Sequence, residues 1–520
     1  MSPNVRRFAV LALCLTAVLT AAALSQAQNP QRPPEYNELA AASQIKDAAA
    51  RLKEFERIKA AYPSSRFMGG IDRTIFNARV ELAVSLEAVL ALQKDFLAAG
   101  KGPARLQGPL IAADQLLTHP KLKSFDKPAV LAAVLSYRDL ALKVSAEPDV
   151  YEGVPANQRE AFKSFAVGGF GILVAQAELN AGDAAKALAA LETFKKEGGT
   201  ADATYFYTLG GTCAKLGRTK EAYEAYLTAA VENHAEALAA ARELYVKMNG
   251  KAEGFETALE VRAKALPFVP EPFKAPAGWK GRAVLAELFT GSECPPCVAA
   301  DVGFDGLVET YPEKYLAVLV YHLPIPRPDP MINAAAKNRQ EYYGVNSTPT
   351  IFIDGEKDAT GGGPRGLAEA KFKQYRAAVD GRLGAAPEAA LKVKATRMGD
   401  ALKIEFDPGP AVVGADYHVV LVQGEERYRG SNGLEFHQMV VRDLVTVDPA
   451  VGKTASFDLA ASERAADQYL TDFETTNTRF QGFKFAERHH KIDRGRLRVI
   501  FFAQDRATKK VLNAAVADVK

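Results

Sequence analysis

The sequence predicts a multidomain protein of α, α/β and β parts in that order. These are a helical, repeat-like N-terminal region, a central α/β domain and a C-terminal β-sandwich-like domain. Three observations predict it. Residues 36–266 are rich in Ala, Leu, Glu and Lys, with apolar residues at helical spacing. Residues 283–353 place short apolar runs between helix-forming stretches. Beyond residue 387, residues 391–395 and 402–406 alternate apolar and polar side chains, as half-buried strands do. At 520 residues the chain is too long for one core and fits about three domains. Its 48% hydrophobic and 24% charged residues are those of a soluble globular protein.

The first 27 residues read as an export signal. Arg6 and Arg7 form a positive region, residues 8–23 an apolar one, and Ser25-Gln26-Ala27 a small-x-small cleavage site. A retained anchor is the alternative, although the apolar run is shorter than the ~18–20 residues a span needs. Cys14 does not make a lipoprotein site, because bulky Leu13 precedes it and the apolar run continues past it. The expected mature chain is exported, periplasmic or secreted. Loss of Arg6 and Arg7 lowers the formal charge from +3 to +1, which gives no support to a nucleic-acid or anionic-membrane partner. Cys213, Cys294 and Cys297 then remain, too few and too clustered for a disulfide-stapled scaffold.

Residues 28–266 are expected to be a helical domain after a Pro/Gln-rich leader. Ile75, Phe76, Val80, Leu82, Ala83, Leu86, Val89 and Leu90 keep a helical period, and Pro63, Gly100, Gly102, Pro103, Pro120 and Gly198-Gly199 break it. Phe206, Leu209, Gly210, Cys213, Gly217, Ala222, Tyr226 and Ala229 follow, with a fainter echo at Val174, Ala175, Gly182, Ala187 and Leu191. In these residues the region resembles tetratricopeptide repeats, which implies antiparallel helix pairs and a possible peptide partner on them. The terminal proline of that pattern is absent, and His234 stands in its place. Cys213 falls at a packing position, so it is either a buried small side chain or a third redox thiol. Residues 267–280 form a linker whose Pro267, Pro270, Pro272 and Pro276 stop helix and favour an extended spacer.

The chemistry-bearing motif is Cys294-Pro295-Pro296-Cys297. It follows an apolar strand at 283–289 and the loop Thr290-Gly291-Ser292-Glu293, and it opens a helix from Val298. Strand, loop, C-x-x-C and helix is a redox context. Zinc is disfavoured, since no second C-x-x-C or His pair at ligand spacing lies nearby. Further on, Ser347-Thr348-Pro349-Thr350 turns into a strand at 350–353. Carrying both motifs in this order, residues 281–385 resemble the thioredoxin superfamily. The resemblance implies a thioredoxin fold, with Cys294 as nucleophile, Cys297 as resolving thiol and a cis Pro349 facing them. It also makes the Thr348 backbone a contact for a substrate strand. Glu287 lies near where the family carries a buried acid. It is either the group that takes the proton of Cys297 during resolution or a strand-end glutamate facing solvent.

Two departures bear on reactivity. Glu293 replaces the usual tryptophan before the first cysteine, and its charge disfavours a neighbouring thiolate. Pro295 fits the first helical turn but offers no amide to the Cys294 sulfur. The thiolate is therefore expected to be moderately stabilised, as in a reductant or weak isomerase rather than a strong oxidant. His322 is read as either a rim or a strand-end residue, and His489-His490 as a solvated loop.

Residues 386–520 are expected to form the β-rich domain, with strands near 391–395, 402–406, 417–422, 439–447, 497–503 and 511–516 and a helix near 460–470. The function expected of the whole is thiol–disulfide oxidoreduction. It reduces or isomerises disulfides of protein substrates, with no bound cofactor, no metal and an electron-donor redox protein as partner. The alternative is a non-catalytic secreted interaction module whose cysteines form a static disulfide.

Overall fold

The computed structural model describes Pro33, residues 35–358 and residues 361–520; the predicted export signal and Cys14 lie outside the described residues. Polar caps divide the N-terminal half into helices. Asp47, Ser85, Asp126, Asp183 and Asp202 each accept a hydrogen bond from the amide three residues on, satisfying a donor the helix start leaves free. The described residues form two compact units, one of residues 35–229 and 235–250, the other of residues 230–234, 251–358 and 361–520.

In the first unit the helices are α1 (Glu35–Ser43), α2 (Ala48–Ala61), α3 (Met68–Leu82), α4 (Leu86–Ala99), α5 (Pro103–Leu117) and α6 (Lys127–Val144). They continue with α7 (Arg159–Lys163), α8 (Phe170–Ala181), α9 (Ala184–Lys196), α10 (Ala203–Lys215), α11 (Thr219–Val231) and α12 (Ala237–Asn249). The apolar interior is serial. One cluster joins Phe55, Ile58 and Ile71, a second Phe76, Leu110, Val130 and Phe170, and a third Ile172, Leu191, Phe194 and Tyr205. Neighbouring helices thus bury one another, the way stacked helix pairs do. Cys213 is a free, buried thiol on α10, and burial pushes its pKa up, which fits a packing residue.

The second unit opens with α13 (Phe255–Lys264) and is built on strands. These are β1 (Val284–Thr290), β2 (Leu316–His322), β3 (Thr350–Ile353), β4 (Glu356–Asp358), β5 (Lys392–Met398), β6 (Ala401–Asp407), β7 (Ala415–Arg427), β8 (Phe436–Val447), β9 (Thr454–Asp458), β10 (Leu497–Asp505) and β11 (Val511–Asp518). The helices are α14 (Val298–Thr310), α15 (Ala334–Tyr343), α16 (Ala368–Leu383) and α17 (Leu459–Thr476). Residues 267–280 carry no regular structure but are anchored to this unit: Phe268 stacks on Phe372, and Phe273 and Trp279 pack on Tyr315.

The sequence predicts a domain boundary at 385/386, yet strands from both sides share one mixed eight-stranded sheet, in the order β11-β10-β7-β8-β2-β1-β3-β4. β2 meets β8 in parallel at Val320 and Val440. The reason lies in strands that are apolar on both faces. Val420, Val422, Ile500 and Phe502 enter the core around β1, while Val419, Leu421, Val499 and Phe501 face a second cluster with Leu402, Ile404 and Phe457. The latter come from the separate three-stranded sheet β5-β6-β9. A buried clamp ties the segments further. Arg282 pairs with Asp354 at 2.5 Å and donates to the carbonyls of Leu512 and Val511, while Asp354 accepts from the Leu285 amide.

Candidate functional site

β1 is buried along its whole length and delivers the chain to the loop 291–293 and then to the cysteines. Cys294 and Cys297 form a disulfide, with sulfurs 2.08 Å and Cα atoms 5.4 Å apart. Pro295–Cys297 is a single 3₁₀ turn, closed by the Cys297 amide on the Cys294 carbonyl at 3.0 Å, and α14 follows without a break. Proline is tolerated there because the first helical amides have no intrahelical acceptor. The pair therefore sits at the positive end of a thirteen-residue helix, where a thiolate is favoured.

Opposite the disulfide is the turn before β3. The Thr348–Pro349 bond is cis. Thr348 Oγ1 lies 3.3 Å from Cys294 Sγ and donates to the Ile325 carbonyl at 2.8 Å, and the Thr348 carbonyl is 3.8 Å from the same sulfur. Residues 361–364 cross the other side. The Gly363 amide donates to the Pro296 carbonyl at 2.6 Å, and a Cβ on Gly362 would stand 1.8 Å from that oxygen and 2.7 Å from Pro349 Cγ. Only glycine permits this approach. The tip of the β7–β8 hairpin closes on the loop before the cysteines. The Asn432 amide donates to the Ser292 carbonyl at 3.1 Å, and Tyr428 and the Ser431 amide donate to Glu293 at 3.3 and 3.2 Å. A Cβ at Gly430 would lie 2.2 Å from the Ser292 oxygen. Both cysteines are 0% exposed.

Side chains alternate across β1, and each face carries its own buried polar group. On the α15 face, Glu287 accepts from Arg339 at 2.6 Å, from Tyr343 at 2.6 Å and from Tyr321 at 3.2 Å. Arg339 in turn reaches Gln504 of β10 at 2.9 Å. Glu287 is thus buried, not facing solvent, and its carboxylate is committed to an ion pair on the sheet face away from α14. On the α14 face, Thr290 Oγ1 donates to Asp301 Oδ2 at 2.8 Å. Asp301 is one helical turn beyond Cys297. Burial pushes its carboxyl well above the usual range, with the Thr290 hydroxyl pulling the other way and Asp305 and Asp329 adding to the rise. Asp305, a turn further, is pushed by burial up to about 7 against the attraction of Arg365. Both keep some accessible surface; Asp301 and Asp305 line one small cavity, and Asp305 lines a second, larger one.

Beneath the loop, Asp329 accepts from Ser292 N at 2.6 Å, Ser292 Oγ at 2.8 Å, the Met331 amide at 2.8 Å and His322 Nδ1 at 2.9 Å. Burial alone would raise this carboxyl, but His322 and the two amides hold it at about 2. His322 is accordingly a buried partner that fixes the loop before the cysteines. His489 is partly buried between Glu426 and Glu487, 2.7 and 3.4 Å away, rather than in a solvated loop. Asp301, Asp305 and Asp329 were not among the residues expected from sequence. The signal for the first two is the spacing Cys297, Asp301, Asp305, Glu309, four residues each, in an otherwise apolar helix. Among the described residues no group of acidic, histidine and cysteine side chains is arranged to hold a metal ion. No helix of the described residues is long and apolar enough to cross a membrane. The chain matches no family model, no curated protein and no solved structure.

Proposed function

We propose that this chain is a thioredoxin-like thiol–disulfide oxidoreductase acting on protein substrates, with Cys294 and Cys297 exchanging the electrons. The observation that carries the reading is the Cys294–Cys297 disulfide at the start of α14 with the cis Thr348–Pro349 turn against it. In this scheme a thiolate of a reduced partner attacks Cys294, the S–S bond breaks, and Cys297 leaves as a thiolate that takes up a proton. The second thiol of the partner then displaces Cys294. Asp301 takes the proton role for which Glu287 was the sequence candidate, because it shares the flank of Cys297 while Glu287 is held by Arg339 across the sheet. Thr348 and Pro349 would line the substrate strand. Export, a reducing partner and tetratricopeptide-like peptide binding on the helical unit belong to the same proposal.

The full burial of both sulfurs favours a second reading, a static disulfide in an interaction protein. Reduction under native conditions separates the two. The enzyme reading expects dithiothreitol to reduce the pair, the reduced protein to reduce insulin, Cys294→Ser to abolish turnover and Cys297→Ser to trap mixed disulfides with protein substrates. A disulfide that stays closed until the protein unfolds would refute it and leave the interaction module.

A further inference from the structure

Reducing a disulfide to two thiols adds two electrons and two protons, and here the sulfur that must gain a proton is sealed from water. We propose that the flank of α14 bearing Cys297, Asp301, Asp305 and Glu309 is a proton relay linking the buried disulfide to solvent. This rests on the thiol–disulfide reading of the pair and adds the route by which its proton arrives.

The four residues are spaced by four along one helix, so they stack on one flank. Two cavities continue the row. The inner one, about 10 Å³, is lined by Asp301, Asp305 and His437 among apolar Leu288, Val320 and Phe304. That is room for about one water molecule, with several polar partners to hold it. The outer one, about 190 Å³, is lined by Asp305 and Glu309 with Lys264, Arg365, Glu425 and Glu435. Asp305 lines both cavities, and Glu309 is exposed.

The charges facing each member support the order of transfer. Asp301 is pushed up by burial, with the Thr290 hydroxyl opposing the rise and the charges of Asp305 and Asp329 adding to it. Asp305 feels Arg365, Glu309 and Glu425, and titrates at about 7, where a group both gives and takes protons readily. His437 is driven down to about 4 by burial and is neutral at pH 7, so it can hold the inner water without adding charge. When the S–S bond breaks, the electron pair stays on Cys297 Sγ. Asp301 gives its proton to that sulfur, Asp305 restores Asp301 through the inner water, and Glu309 or solvent in the outer cavity restores Asp305. Oxidation runs the same steps backwards.

The test is stopped-flow reduction of the full chain by dithiothreitol at pH 7, with wild type, Asp305→Asn and Asp301→Asn. The relay expects Asp305→Asn to slow reduction at least about tenfold, the low end of acid–base contributions, while the equilibrium ratio against dithiothreitol stays within about twofold. It also expects wild type in mixed light and heavy water to give a bowed proton inventory, since more than one proton moves. A wild-type rate in Asp305→Asn, an equilibrium shifted by the same factor as the rate, or a linear wild-type inventory each overturns the relay while leaving thiol exchange standing. Should Asp305→Asn not fold, Asp301→Asn and the wild-type inventory carry the test. If wild type itself is not reduced, the exchange reading falls first.

Discussion

At the scale of single residues, the hydroxyl of Thr348 has one proton and two acceptors. In the disulfide state it lies closer to the Ile325 carbonyl, 2.8 Å against 3.3 Å for Cys294 Sγ. A Cys294 thiolate is the stronger acceptor, and a hydrogen bond to a charged group is worth roughly 1.5–3 kcal/mol. Thr348→Val keeps the shape and removes that donor. Alkylation of reduced Cys294 by iodoacetamide at pH 7 should therefore slow about tenfold or more; an unchanged rate would show that Thr348 only fills space. The pairing of the cysteines and the Thr348–Pro349 turn were legible in the sequence because both are written in local motifs. Glu287 was half legible: an acid in an apolar strand must find a partner, but the face it takes is decided by a partner fifty-two residues away. Asp329 was not legible, because it acquires its role by folding back beneath Ser292 and His322.

For α14 as an element, the acidic flank has a cost in stability. Asp305 keeps its proton in the folded chain up to about pH 7 but loses it near 3.9 when unfolded. The folded state therefore binds more protons between those values, and its stability falls as pH rises through that window. Asp305→Asn removes the loss. It should unfold at a higher denaturant concentration than wild type at pH 8, by roughly 1–4 kcal/mol, with the difference closing toward pH 4. A difference independent of pH would place the effect elsewhere. The helix itself was legible from its start after the C-x-x-C and its apolar run. Likewise β5 and β6 fall where alternation predicts them. Their partners were not, because alternation states which strands exist and not which sheet receives them.

On the scale of the molecule, an eight-stranded sheet assembled from both sides of residue 385 ties the cysteine-bearing segment to the C-terminal strands. Residues 267–385 expressed alone should fail to give dispersed amide resonances or a cooperative melt, whereas 251–520 should give both; a well-folded short fragment would contradict this. The clamp of Arg282 explains the expected failure most directly. Cut away β11, and a guanidinium with 4% of its side chain exposed loses the Leu512 and Val511 carbonyls that share it with Asp354. Asp354 stays as its partner, but the guanidinium donors that the two carbonyls took are left unsatisfied, at a cost of roughly 1–3 kcal/mol each. By the same reasoning the cysteine-bearing core is a poor cassette: moved into another gene without the C-terminal strands, it would be expected to lose its shape.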